Sequence, residues 1–214
     1  MLVERVEFVG QHEAGPASLR HLAEIRNGTT IWGVDTRRAR DGVMRHPWVR
    51  DARVRRVFPD TVRVEIEERV PSALLRAERM YLVDDRGVVF MASDGKHLDL
   101  PVISGIDRSL FERHPDIPRL ALRDALQIVA QLDERGVLPR DDVSEVVFSE
   151  SRGFTVHTLA GSRIRFGLDG FERQVDRLQR LVHRDVDLDA EVLVDLAPSR
   201  LAIVRPVEGT SEGS

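Results

Sequence analysis

The sequence predicts an α+β chain in two parts: a leading β-α-α-β-β unit over residues 1–70, then a mixed β-rich part with two helices over residues 71–207. Three observations predict it. Ala52, Val54, Val62, Val64 and Ile66 alternate on either side of Phe58-Pro59-Asp60-Thr61, the period and punctuation of a hairpin. Two stretches of helical period precede that hairpin. After Pro71, short apolar runs resume and two further helical stretches interrupt them.

In the leading unit, Val3, Val6, Phe8 and Val9 fit an opening strand. Gly15-Pro16 starts a helix, with Pro in its first turn. Leu19, Leu22 and Ile25 share one face, and Asn27-Gly28 stops it. Ile31 and Trp32 form a short apolar link. Asp35 is placed to cap a second helix, with Val34 and Ala39 suited to a hydrophobic staple. Pro47 ends that helix and biases His46 toward extended backbone. In the hairpin, pairing Val54 with Val64 also pairs Ala52 with Ile66 and Arg53 with Glu65, so apolar pairs face inward and the ion pair outward. Val57 is out of phase with Val54, which predicts a bulge near Arg55-Arg56.

In the second part, residues 73–76 and 80–83 read as strands. Asp84-Asp85-Arg86-Gly87 is a turn, Val88-Val89-Phe90 the return strand, and residues 100–105 a further extended run. After Pro118, Leu122, Leu126, Val129 and Leu132 line a helix that Gly136 stops. Strands follow at about 143–148, 154–159 and 163–166. Phe171, Val175, Leu178 and Val182 mark the last helix. The final strands are expected at 191–196 and 201–207. Residues 208–214 are polar and Gly-rich and read as a disordered tail.

Composition narrows the function classes. The net charge of -4 gives no global pull toward nucleic acid or anionic membrane. The absence of cysteine excludes a disulfide framework, a thiolate metal site and a cysteine nucleophile. No apolar run approaches the roughly 20 residues of a membrane helix. The histidines are scattered without an i, i+4 pair, and no P-loop, nucleophile elbow or Rossmann glycine pattern is present. The sequence therefore offers no catalytic residue, no cofactor and no metal site. Asp84-Asp85, Asp94, Asp99 and Asp107 read as turn and loop residues rather than acid–base groups. Nine arginines against four aspartates between Asp35 and Arg63 raise a winged-helix, DNA-binding alternative. The reading preferred is an outer strand face balanced by Glu65, Glu67 and Glu68.

The stretch HPWVRDARVRRVFPDTVRVEIEERVP resembles the FtsQ/DivIB family of bacterial cell-division proteins. Pro47-Trp48-Val49, Ala52-Arg53-Val54-Arg55-Arg56, Pro59-Asp60-Thr61, Val62, Val64 and Glu68-Arg69-Val70-Pro71 carry the likeness. YLVDDRGVVF and LPVISG extend it. The resemblance implies a POTRA domain over 1–70 and an FtsQ-type β domain over 71–207. It also implies a non-enzymatic divisome scaffold that recruits FtsB- and FtsL-type partners and couples them to septal peptidoglycan synthesis. Such a protein faces the periplasm from the inner membrane on one N-terminal helix. That helix is not in this sequence, as a truncated chain or a late gene start would produce. Another POTRA-containing assembly or secretion component is the alternative. The working surface is expected at the last strand, Arg200, Leu201, Ala202, Ile203, Val204 and Arg205. One alternating face there should be buried and the free edge open to strand addition. By the resemblance, Val194-Asp195-Leu196 precedes that strand, and Arg152 stands where the family has a basic residue facing an acidic one of the partner. Ala197 and Pro198 depart from the family pattern.

Overall fold

The computed structural model describes residues 1–97, 99–198 and 202–207. The chain forms two compact units, Met1–Val70 and a second that begins at Pro71. Its class is α+β, a small three-stranded unit followed by a larger β-rich one.

The first unit runs β1 (Arg5–Val9), α1 (Pro16–Ala23), a single 3-10 turn at Ile31–Gly33, α2 (Thr36–Val43), β2 (Val49–Val57) and β3 (Thr61–Glu68). The sheet order is β1-β3-β2, with β1 parallel and β2 antiparallel to β3. Asp35 caps α2 by accepting from the N–H groups of Arg37 (3.1 Å) and Arg38 (3.0 Å), and Val34 and Ala39 are both buried beside it. A Cβ on Gly42 would stand 2.0 Å from the carbonyl oxygen of Leu22, so only glycine lets α2 approach α1 this closely.

The hairpin register is the expected one: Ala52–Ile66, Arg53–Glu65 and Val54–Val64. The bulge is not at Arg55-Arg56. The register shifts between Val49 and Asp51. Val49 and Ala52 are both buried, yet three residues of unbroken strand would put them on opposite faces. The extra residue, Arg50, reconciles them. Val57 needs no correction because it pairs with Thr61 at the turn and stays half-buried.

The second unit contains β4 (Pro71–Arg76), β5 (Met80–Asp84), β6 (Val89–Ala92), β7 (Val102–Ser104), α3 (Arg108–Arg113), α4 (Asp116–Glu134), β8 (Val143–Ser149), β9 (Gly153–Thr158), β10 (Arg163–Phe166), α5 (Phe171–Val182), β11 (Val192–Asp195) and β12 (Ile203–Pro206). The sequence reading allowed two helices here and missed α3. That helix has six residues, too few to show a period, and starts at an Asp107 cap that accepts from Leu110 N–H at 2.9 Å. The strands form one mixed sheet in the order β12-β11-β10-β9-β8-β7-β4-β5-β6. Val146, Phe148, Phe154, Val156, Ile164, Phe166 and Val194 face a core shared with α4 and α5. Phe154 lies against Phe148 and, edge-on, against Phe171 of α5. Asp84 does turn work: its carboxylate accepts from the N–H groups of Arg86 (3.0 Å) and Val88 (2.9 Å). In the LPVISG run, Gly105 has φ +81, and a Cβ there would meet the Phe148 carbonyl oxygen at 2.0 Å.

Candidate partner-binding edge

β12 has β11 on one side and, among the described residues, no strand on the other. It runs antiparallel to β11, pairing Val192–Pro206, Leu193–Arg205, Val194–Val204 and Asp195–Ile203. The Val207 N–H donates to the Glu191 carbonyl at 2.8 Å. Hydrogen-bonded and non-bonded pairs alternate in an antiparallel ladder. The bonded pairs are therefore Leu193–Arg205 and Asp195–Ile203. The N–H and C=O of Val204, and by the same alternation of Ala202, point away from β11. Pro206 also lies at an outward position, so its missing donor costs the β11 ladder nothing and leaves a gap in the free edge.

The expected buried face is not there. All four residues of β12 are exposed, with Ile203 at 49% and Val204 at 41%. Val204 shares a face with buried Val194, but the core packing reaches this segment at Ala202, which is half-buried against it. Arg200 and Leu201 lie outside the described residues, as does the proposed tail over 208–214.

Beside the edge, the helix-free face of the sheet is basic. Cross-strand neighbours give a row of Arg205, Leu193, Arg163, His157 and Glu145. Arg163, Leu193, Arg205, Pro206 and Val207 line a shallow depression of about 260 Å³. In the next row Arg165 pairs with Asp195 at 3.0 Å. Burial holds the His157 imidazole below its ordinary value, and Arg163 adds to this while Glu145 opposes it.

Arg152 sits in the β8–β9 turn, exposed, its N–H donating to the Ser149 carbonyl at 3.2 Å. The register puts this turn at the same end of the sheet as Ile203, since Phe154 meets Phe166 and Arg165 meets Asp195. Three strand spacings separate β9 from β12, roughly 14 Å. Arg152 and the edge strand therefore do not form one cluster.

The first unit's arginines are largely occupied within the fold. Arg38 and Arg45 reach Glu24, Arg40 reaches Asp51, Arg50 reaches Glu67, Arg55 reaches Glu65 and Arg63 reaches Glu7. Arg56 donates to the carbonyls of Ile31 and Val34. Sequence reasoning missed one exposed feature of this unit. Trp32, taken as part of an apolar link, is 67% exposed and packs at a tilt against Phe58, 4.9 Å between ring centroids. Its signal was its place in a polar loop, Asn27 to Asp35, with no helical or strand period to bury it.

Residues 1–69 match the family model described as "POTRA domain, FtsQ-type", and residues 73–197 match "Cell division protein FtsQ/DivIB, C-terminal". The chain belongs to the FtsQ/DivIB family. Among its relatives, the cell division protein FtsQ of Syntrophotalea carbinolica is 34% identical over 84% of this chain and 64% of its own length. That of an Anaeromyxobacter species, strain K, is 36% identical over 88% of this chain and 64% of its own. That of Geotalea daltonii is 32% identical over 96% of this chain and 76% of its own. The chain thus spans just under two thirds of the length of the first two. The FtsQ/DivIB match ends at residue 197, so β12 lies beyond it. No helix among the described residues is long and apolar enough to cross a membrane, and no group of potential metal ligands occurs among them.

Proposed function

We propose that this FtsQ-family chain is a non-enzymatic scaffold of the division machinery that takes a strand from an FtsB-type partner onto β12. The observation that carries this reading is the edge itself: a terminal strand, exposed along its length, with the N–H and C=O of Ala202 and Val204 turned outward. Backbone pairing supplies affinity in this mode, and side chains on alternate faces supply selectivity. The basic row beside the edge favours acidic residues on the open-face side of the guest strand. In this reading Arg152, exposed at the same end of the sheet, meets a second stretch of the same partner. FtsL-type proteins join through that complex, and the assembly couples to septal peptidoglycan synthesis. The POTRA domain contributes to localisation. In the full-length protein an N-terminal membrane helix would hold both domains on the periplasmic face at the septum.

The test is Ala202→Pro, which removes an outward donor and no ladder bond to β11. Calorimetry with a peptide of the FtsB-type partner is expected to show binding lost while the thermal transition stays in place. Unchanged affinity would overturn strand addition at this edge.

A further inference from the structure

We infer that Arg177 of α5 is a positioning residue for the edge strand, holding the connection out of β11 so that β12 stays laid down and open to a guest. This rests on strand addition at β12. The need for such a residue follows from the chain length. Seven residues separate Asp195 from Ile203, far more than the two-residue loops that fix hairpin register by turn geometry alone. β12 is also short and exposed, so its own burial does little to hold it.

Arg177 supplies the missing constraint. Its Nη1 donates to the Pro198 carbonyl at 2.7 Å, and its Nη2 donates to the Leu196 carbonyl. One planar guanidinium thus holds two carbonyls of the same connection, a geometry for which Arg is suited and Lys is not. The base of the clamp is rigid, because Val175 and Leu178 on either side are fully buried. The start of the connection is fixed as well. Leu196 is buried and its N–H donates to the Arg165 carbonyl at 2.8 Å, while the Ala197 N–H donates to Asp195 at 3.1 Å. With residue 198 pinned, the last fixed point is separated from Ile203 by four residues in sequence rather than seven. That alone favours closure about twofold, before the charged hydrogen bonds are counted.

The experiment compares Arg177→Met, which keeps an apolar stem and removes the donors, with Arg177→Lys and the parent chain. Amide hydrogen exchange is read on the free protein at Ile203, Arg205 and Val207, whose N–H groups face β11. Arg177→Met is expected to lower their protection about tenfold, the scale of a lost charge-assisted bond, with β8 and β9 unchanged. Arg177→Lys is expected to recover part of it. Binding of the FtsB-type peptide should then slow in proportion to the fraction of molecules whose strand has lifted, with koff unchanged. Unaltered protection at the three amides overturns the role of Arg177, and so does a loss spread evenly over β8, β9 and β12. Protection lost to the point that β12 is lifted in most molecules, with no change in peptide association, leaves Arg177 as the residue that positions β12 and overturns β12 as the binding edge.

Discussion

The β2–β3 hairpin is paired over eight positions and buried in its unit's core, whereas β12 is paired over four and buried at none of them. The hairpin pairs eight positions, and Ala52, Val62 and Val64 are almost wholly buried. Its outer face is laced by ion pairs, and Glu68 at its end accepts from the N–H groups of Glu13 (3.0 Å) and Ala14 (2.7 Å). β12 pairs four positions, buries none of its residues and depends on a connection clamped from another helix. The difference teaches where to look for function in this fold. The stretch with the most recognisable spelling is mainly architecture, because its strands pair over eight positions and its apolar residues fill the first unit's core. The strand with the plainest spelling is an edge with no buried residue of its own, and it is the one proposed to take a partner.

The comparison breaks if core changes in the hairpin cost binding, or if changes on the edge strand cost stability. Val64→Ala is the largest expected effect. It removes two methyl groups from a fully buried site and should cost about 2–3 kcal/mol in chemical denaturation. Affinity for the partner peptide should not move under conditions where the first unit stays folded.

Glu68→Gln comes next, at about 1–2 kcal/mol, because the amide keeps an acceptor but loses the charge. Its pH signature sharpens the assignment. Burial pushes the Glu68 carboxyl up, but the N–H groups of Glu13, Ala14 and His12 and the charge of His12 outweigh it and leave it below its ordinary range. A lowered carboxyl stabilises the fold above its unfolded pKa, and that stability is lost as pH falls through the folded value. His46 acts in the same direction. Burial lowers its imidazole below 6.5, against the pull of Glu68, so the unfolded chain takes up that proton first as pH drops. Denaturation midpoints of the first unit should therefore fall from neutral pH downward, first as pH passes below 6.5 and again in the carboxylate range. Glu68→Gln should flatten the second fall and deepen the first, because it removes the charge that holds the His46 value up.

Ile203→Ser is the smallest expected effect on stability, within about 0.5 kcal/mol, since the side chain is already half in water. A cost above 1 kcal/mol by the same denaturation assay would mean that β12 is core and the contrast is false.

How much of this was legible from sequence depended on how local the cause was. The hairpin register followed from alternation and turn chemistry within fifteen residues, and the structure reproduces it. The Asp35 cap and the Asp84 turn were equally local. The bulge was misplaced because Val54 and Val57 drew attention to a phase error, while the spacing of Val49 and Ala52 set the real one. α3 was missed because six residues carry no period. The exposure of β12 was misjudged because alternation tells which residues share a face, not whether anything covers that face. Arg177 was invisible because its partners lie 19 and 21 residues downstream, and only the packing of α5 brings it to them.

Pro206 bears on what happens when many copies of the chain crowd together. A bare strand edge is a template on which identical molecules can stack without limit, each new layer presenting the same surface as the last. Among the described residues the template offers two outward donors, at Ala202 and Val204, and the next position, Pro206, cannot give a proton at all. A self-propagating stack would have too few bonds per layer to grow, whereas a single guest with contacts elsewhere, such as at Arg152, would not depend on the edge alone. One imino acid thus shortens the run of edge that an identical copy could extend.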